Sequence, residues 1–500
     1  MAAADLDKGL TIELADEAAT SQLAEDLAAV LRPGDLVALS GGLGVGKTAL
    51  ARALLRSLAG DPGLEVPSPT FPLRIEHATP GLKIVHADLY RLSDETELEE
   101  LGLEEALAEG AVVAEWPDLL GPLMSENRLD VRLAIAGHGR MADLHGTGTW
   151  PARFARTARI RAFLEESGWL GATRWPLVGD ASSRAYERIV RENETAILMN
   201  APARAEGPPV YDGRSYDSVA HRALDLNPFV ALDLALRQAG VRAPKILAAD
   251  VEAGFLLLED LGSEGILDGS GAPILERYEA AIDLLVAMHG RHWPDELLLP
   301  NGTLYRVPPY DREALLVEIS LFPDWFGAAA GEPAFPPEGR EEFLAAWTKV
   351  LDRVDDARTL VMRDFHSPNI LWRAEASGTD RVGVLDFQDA LIGHPAYDVA
   401  SLAQDARAPL TQADELRLKA RYIAGRCAGD ANFDPQVFET AYAVFAAQRA
   451  TKVLGAFTRL AVAEGKPGYQ RHRERLKALL RRTLSHPVLS PLRVWYEPHI

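Results

Sequence analysis

The sequence predicts an α/β domain built on a phosphate-binding loop, followed by a larger two-lobed α+β domain. Three observations carry this. The stretch SGGLGVGKT at 40–48 lies between an apolar run, LVALSG, and a segment of helical period, TALARALLRSLAG. Regular patterning is then lost around 145–158, where Gly, Thr and Pro accumulate. Beyond it, short strand-like runs over 177–262 give way to a mainly helical pattern over 275–485. A strand-rich part followed by a helical part suggests two lobes with a cleft between them.

In chain order, LVALSG reads as a strand leading into glycines, and residues 48–60 as a helix with a glycine stop. LKIVHADLY, AVVAEW and LDVRLAIAG are strand candidates, and the acidic stretch 94–110 is a helix between two of them. These elements define a first domain over 1–150. A linker is expected over 151–165 and a second domain over 166–500, with a strand-rich lobe at about 166–262 and a helical lobe at about 263–490. YERIV, TAILMN and GFLLLEDLG are strands of the former. ILWR and RVGVLDFQD, around the turn-like EASGTD, read as a β-hairpin in the latter.

Composition bounds the function. The chain has 500 residues, 47% of them hydrophobic and 25% charged, an ordinary globular balance. A net charge of −21 argues against a surface that coats nucleic acid or anionic membranes. The lone Cys427 excludes an intramolecular disulfide and a thiolate metal cluster. No signal peptide or apolar membrane span is visible. A cytoplasmic protein is the expectation.

The first chemical motif is Gly41-Gly-Leu-Gly44-Val-Gly46-Lys47-Thr48, which fits G-x-x-x-x-G-K-[ST]. The glycines let backbone N–H groups turn toward phosphate, the helix start favours negative charge, and Lys47 adds a point charge. Thr48 is a candidate Mg²⁺ ligand. Asp88 ends KIVHAD and Glu115 ends AVVAEW, where strands would deliver carboxylates to the metal and to the attacking water. Thr70, in the proline-framed loop VPSPTF, is a candidate hydroxyl near the metal and γ-phosphate. With PSPTFPL, HADLYRL, LGLEE and AEWPD in this order, residues 10–150 resemble the TsaE family of P-loop ATPases. That family serves the bacterial machinery that makes threonylcarbamoyladenosine on tRNA. The resemblance implies phosphate and Mg²⁺ roles for Lys47 and Thr48, a switch-like Thr70, a metal-associated Asp88 and a hydrolytic Glu115 followed by Trp116. It also implies two partner proteins rather than direct contact with nucleic acid. Gly42 departs from the acidic residue many members carry. The absence of an Asn-Lys-x-Asp motif disfavours the rival GTPase reading.

The second motif is Asp364-Phe-His366-Ser-Pro-Asn369. Asp364 is a candidate to receive a proton from a substrate hydroxyl, and Asn369 a candidate metal ligand. Pairing across the hairpin is expected to set Asn369 beside Asp386, two hard oxygen donors suited to Mg²⁺. His366 either orients the loop, contacts substrate or is a polar loop residue. Asp398 either bonds the loop backbone or caps the next helix. Ser182 and Ser183 lie where kinases often use glycines over the phosphates. Glu259, in FLLLEDLG, lies where a strand runs into a hinge. Glu318 and Trp325, in VEISLFPDWF, are candidates to face the cleft and the acceptor, while Phe322 suits a core position.

Together with GDASSRAY, ILMNAP and GVLDFQDALIGHPAYDVASL, these stretches resemble the aminoglycoside-phosphotransferase superfamily over about 165–470. The branch that phosphorylates the anomeric hydroxyl of N-acetylmuramate and N-acetylglucosamine is most similar. A bilobal protein-kinase-like fold, ATP and Mg²⁺ are implied. Two departures are Met199, where a phosphate-anchoring lysine is expected, and Met362, where a histidine usually precedes Arg-Asp. The function expected is therefore bifunctional: an ATPase supporting tRNA modification, fused to a kinase of cell-wall recycling. The alternatives are a kinase of another small alcohol or aminoglycoside, or a non-catalytic nucleotide-binding module that regulates the ATPase.

Overall fold

The computed structural model describes residues 6, 8–121, 125–177, 184–326, 335, 337–498 and 500. The chain forms two compact units. One comprises residues 1–201 and 247–260, the other 202–246 and 261–500. Residues 202–246, expected with the strand-rich lobe, thus belong to the helical unit.

The first unit opens with β1 (Leu10–Leu14), α1 (Glu17–Val30), β2 (Leu36–Gly41) and α2 (Lys47–Ala59). β3 (Arg74–Thr79) and β4 (Leu82–Asp88) follow. The acidic stretch forms two short helices, α3 (Glu95–Glu99) and α4 (Leu103–Glu109), because Gly102 adopts φ +58° between them. β5 (Ala111–Glu115), β6 (Arg128–Ala136) and β7 (Gly139–Gly146) complete a seven-stranded sheet of order β1-β7-β6-β2-β5-β4-β3. β4, β5, β2 and β6 run parallel, with Asp88 level with Glu115. Parallel strands buried on both faces read as continuous apolar runs, and all five residues of β5 are buried. β7 is not among the expected strands, and only its last two residues fall in the stretch 145–158 where patterning seemed lost. Its Ala142, Leu144 and Gly146 are buried and alternate with exposed Asp143 and His145, the period of a half-buried strand.

Residues 151–165, expected as a linker, are the body of α5 (Trp150–Glu166). Pro151 is tolerated in its first turn. Trp150 and Phe154 enter the core of the first sheet, and Ile160, Phe163 and Leu164 the core of the next. That next sheet contains β8 (Thr173–Leu177), β9 (Ala185–Arg191), β10 (Glu194–Asn200) and the strands Phe255–Glu259 and Ile246–Asp250. Buried ion pairs join these parts. Arg153 holds Asp35 through two bonds of 2.7 and 2.8 Å. Arg174 of β8 reaches Glu187 at 2.7 Å, Asp26 of α1 at 2.5 Å and the Thr157 hydroxyl at 2.9 Å.

The second unit is mainly helical. The helices Leu275–His289, Arg312–Ile319, Ala396–Ala403, Gln412–Gly429 and Pro435–Ala463 bury its core. Two short strand pairs frame the catalytic-loop motif: Thr359–Val361 with Leu391–Gly393, and Ile370–Trp372 with Val382–Val384. Among the described residues no helix is long and apolar enough to cross a membrane.

Candidate functional sites

In the first unit, β2 delivers the glycine loop to the start of α2. Gly41, Gly44 and Gly46 take φ of +129°, +73° and +116°, values that favour glycine. A Cβ on Gly41 would lie 2.3 Å from the Leu133 carbonyl oxygen. Gly46 caps α2 without a side-chain hydrogen bond, which leaves the first helical N–H groups for a ligand. Lys47 donates to the carbonyls of Gly41 and Gly42 at 2.9 and 3.0 Å, and its ammonium lies 3.5 Å from the Trp116 ring centroid. Burial lowers the Lys47 pKa, while Glu115 and Asp88 oppose that shift.

The Thr48 hydroxyl donates to Glu115 Oε2 at 2.9 Å, and Glu115 Oε1 is 3.0 Å from His86 Nε2. His86, which the sequence reading passed over, thus fixes the glutamate. Its signal was a polar residue inside the apolar run KIVHAD. Asp88 Oδ1 accepts from the Tyr90 backbone N–H. Thr70 is exposed, and its hydroxyl is 2.7 Å from that of Ser68. A cavity of about 550 Å³ opens beside the loop, lined by Val45, Gly46, Ala49, Asp16, Arg140 and Trp175, within the range of small-ligand sites.

In the second unit, the loop around Asp364 is pinned from below. The Asp398 carboxylate accepts from the backbone N–H groups of Met362 and Arg363 at 2.7 and 2.9 Å. Asp398 therefore bonds the loop backbone, and this clamp supports the loop where Met362 replaces histidine. Arg363, at φ +67°, donates through Nε to Glu318 at 3.0 Å and pairs with it again through Nη2. Glu318 is fully buried and also takes Lys452 at 2.8 Å, the Tyr310 hydroxyl and Gln448. Burial raises its pKa, but Arg363 and Lys452 outweigh this and hold it at about 2. With every lone pair engaged, Glu318 anchors the loop and does not meet substrate, contrary to the sequence expectation. Phe322 is buried in an aromatic cluster with Phe326 and Phe343. Trp325 is half-buried at the end of the helix Leu321–Trp325.

Asp364 itself is half-buried. Burial would raise its pKa, yet Lys452, then His366, Arg222 and Arg363, hold it well below the usual carboxylate range. It is thus a permanent anion beside cations. Asn369 Nδ2 donates to the Asp364 carbonyl at 2.9 Å, which leaves its amide oxygen as a ligand atom. The hairpin pairs Ile370 with Val384, and the Leu385 N–H donates to the Asn369 carbonyl. The residue opposite Asn369 is therefore Leu385, not Asp386. Asp386 follows at φ +55° and accepts from Gln388 Nε2 at 2.9 Å. The expected register is one residue out: the pairing of Ile370 with Val384 continues unchanged to Asn369 and Leu385, and the turn fixes a hairpin's register.

Among the described residues no group of three or more His, Cys, Asp or Glu could hold a metal. The candidate donor sets, Thr48 with Asp88 and Asn369 with Asp386, mix carboxylate with hydroxyl or amide oxygen. All are hard donors of the kind Mg²⁺ takes while retaining water. His366 is buried beside Asp405 and Arg407, and burial lowers its pKa. Ser182 and Ser183 lie outside the described residues. Glu259 ends the strand Phe255–Glu259 and is half-buried. Met199 is buried in β10 opposite Tyr186. Sequence reading missed Lys452, Arg449, Arg222 and Asp405; only spacing along the long helix, Arg-x-x-Lys, marked the first two.

A P-loop α/β domain continued by a kinase catalytic loop defines an ATPase joined to a phosphotransferase. Comparison with known proteins specifies both. Residues 14–142 match the family "Threonylcarbamoyl adenosine biosynthesis protein TsaE", and residues 175–438 match the "Phosphotransferase enzyme family". The chain belongs to the phosphotransferase enzyme family, and its N-terminal part to the TsaE family. It is 34% identical over 357 residues to an N-acetylmuramate/N-acetylglucosamine kinase of Caulobacter vibrioides, covering 69% of this chain and 97% of the relative. A kinase of the same name from Pseudomonas aeruginosa is 33% identical, with 59% and 78% covered. The tRNA threonylcarbamoyladenosine biosynthesis protein TsaE of Rickettsia bellii is 38% identical over 122 residues, 24% of this chain and 84% of the relative.

Proposed function

We propose that the second domain transfers the γ-phosphoryl of ATP to the anomeric hydroxyl of N-acetylmuramate or N-acetylglucosamine. The observation that carries this is the setting of Asp364, an anion on a loop locked by Asp398 and by the Arg363–Glu318 pair. Such a carboxylate orients a sugar hydroxyl for attack and accepts its proton as the phosphoryl transfers. Asn369 and Asp386 would hold Mg²⁺, which when bound neutralises phosphate charge. The protein's own contribution is positioning and fixed charge. The identity to kinases named for these two sugars supports the acceptor class.

The first domain, in this reading, hydrolyses ATP in support of threonylcarbamoyladenosine formation on tRNA, with two partner proteins, in the cytoplasm. Lys47 and the glycine loop bind phosphate, Thr48 and Asp88 would hold Mg²⁺, and Glu115 orients the attacking water. The Thr48–Glu115–His86 chain supports these roles.

The test is phosphorylation of N-acetylmuramate by the full chain with ATP and Mg²⁺. Asp364→Ala is expected to lower kcat by at least about 10³-fold, the scale of losing a positioned base. Equal product from both proteins would sink the role of Asp364.

A further inference from the structure

The long helix Pro435–Ala463 carries a guanidinium with no partner among the described residues. Arg449 is only 7% exposed, yet it makes no hydrogen bond or ion pair among the described residues. Its neighbours on the helix are engaged: Gln448 donates to Glu318 at 3.2 Å, and Lys452, one turn on, pairs with Glu318 at 2.8 Å.

The helix period places Arg449. Phe445, four residues earlier, packs 5.1 Å from the His394 ring and 6.2 Å from that of Tyr397. Phe457, eight residues later, lies 5.6 Å from the Arg407 guanidinium, and Arg407 Nη1 is 3.4 Å from His366 Nδ1. Residues four apart share one helix face. Arg449 therefore lies on the stripe between Tyr397 and His366, two residues from Asp364 along the catalytic loop. Its charge acts on both Tyr397 and His366.

The local carboxylates are already committed. Glu318 serves both Arg363 and Lys452, Asp389 pairs with Arg222 at 3.0 Å, and Asp405 accepts from the backbone of Ser367 and Arg407. Asp364 has Lys452 as its foremost cation, and Asp386 accepts from Gln388. The charge of Arg449 is left over. A guanidinium's planar fork of donors matches a carboxylate.

We propose that Arg449 binds the carboxylate of an anionic acceptor, and so sets the preference of the kinase for an acidic over a neutral amino sugar. This rests on the amino-sugar kinase reading above. N-acetylmuramate is N-acetylglucosamine bearing an ether-linked lactate, so the two acceptors differ by one carboxylate. The transferred phosphoryl group is common to both, which separates this role from phosphate binding.

The experiment measures kcat/KM of the full chain with ATP for three acceptors: N-acetylmuramate, its neutral methyl ester and N-acetylglucosamine. Wild type, Arg449→Met and Arg449→Lys are compared. Arg449→Met is expected to cut the ratio of N-acetylmuramate to N-acetylglucosamine kcat/KM by roughly 10–100-fold, the loss of one charge-assisted contact. Arg449→Lys recovers part of it. The methyl ester with wild type behaves as the acid does with Arg449→Met. An unchanged ratio in Arg449→Met overturns the proposal. So does wild type using ester and acid equally well, a result that needs no variant to fold. Wild type phosphorylating neither sugar overturns the amino-sugar reading itself, and this proposal with it.

Discussion

At the scale of single residues, both sites are built by pairing a functional group with a buried partner that fixes it. Glu115 is held between Thr48 and His86, and Arg363 between Glu318 and the loop. Glu318 shows the energetic consequence. Its folded pKa of about 2 lies below the ordinary 4.5, so its contribution is complete above about pH 5 and lost as pH falls through the folded value. The difference corresponds to about 3 kcal/mol. Glu318→Gln should be less stable than wild type by about that amount at pH 7. The gap should narrow between about pH 5 and pH 3 in denaturant melts. A constant gap across that range would show that the carboxylate's ionisation does not stabilise the fold.

At the scale of elements, the phosphate loop depends on backbone shape. Gly41→Ala puts a Cβ against the Leu133 carbonyl at a φ of +129°. It should cost about 1–3 kcal/mol of stability and weaken nucleotide binding, read by thermal melts and by ATP titration. The element that joins the sheets is α5 with Arg174 of β8. Arg174 is completely buried and serves Glu187 and Asp26 together. Arg174→Met leaves Glu187 buried without its cation, while Asp26 keeps Arg161 at 2.8 Å, and should destabilise the first unit by about 3–5 kcal/mol; an unchanged melting temperature would show the cluster to be dispensable. The strands of the parallel sheet and the hairpin were legible, because apolar runs and turn residues are local signals. β7, α5 and the hairpin register were not. β7 alternates over only five residues, 142–146, next to the Gly- and Thr-rich stretch, and the hairpin register depends on the turn, whose conformation the residues EASGTD did not fix.

At the scale of the whole molecule, the two sites share no residue. Lys47→Ala should abolish ATP hydrolysis by the first domain while sugar phosphorylation proceeds at the wild-type rate. Asp364→Ala should do the reverse, with both activities measured on the same preparation. A loss of both activities in either variant would reveal coupling between them. The sequence by itself determined the two families and the order of the domains, and it marked Lys47, Thr48, Glu115, Asp364 and Asn369 as candidates, because glycine loops and loop spacings are written along the chain. Only the tertiary structure decided that Glu318 is an anchor, that Asp398 supports the loop beside Met362, that residues 202–246 join the helical unit and that Arg449 has no side-chain partner among the described residues. Each of those depends on which distant side chains share a buried space, and burial is a property of packing.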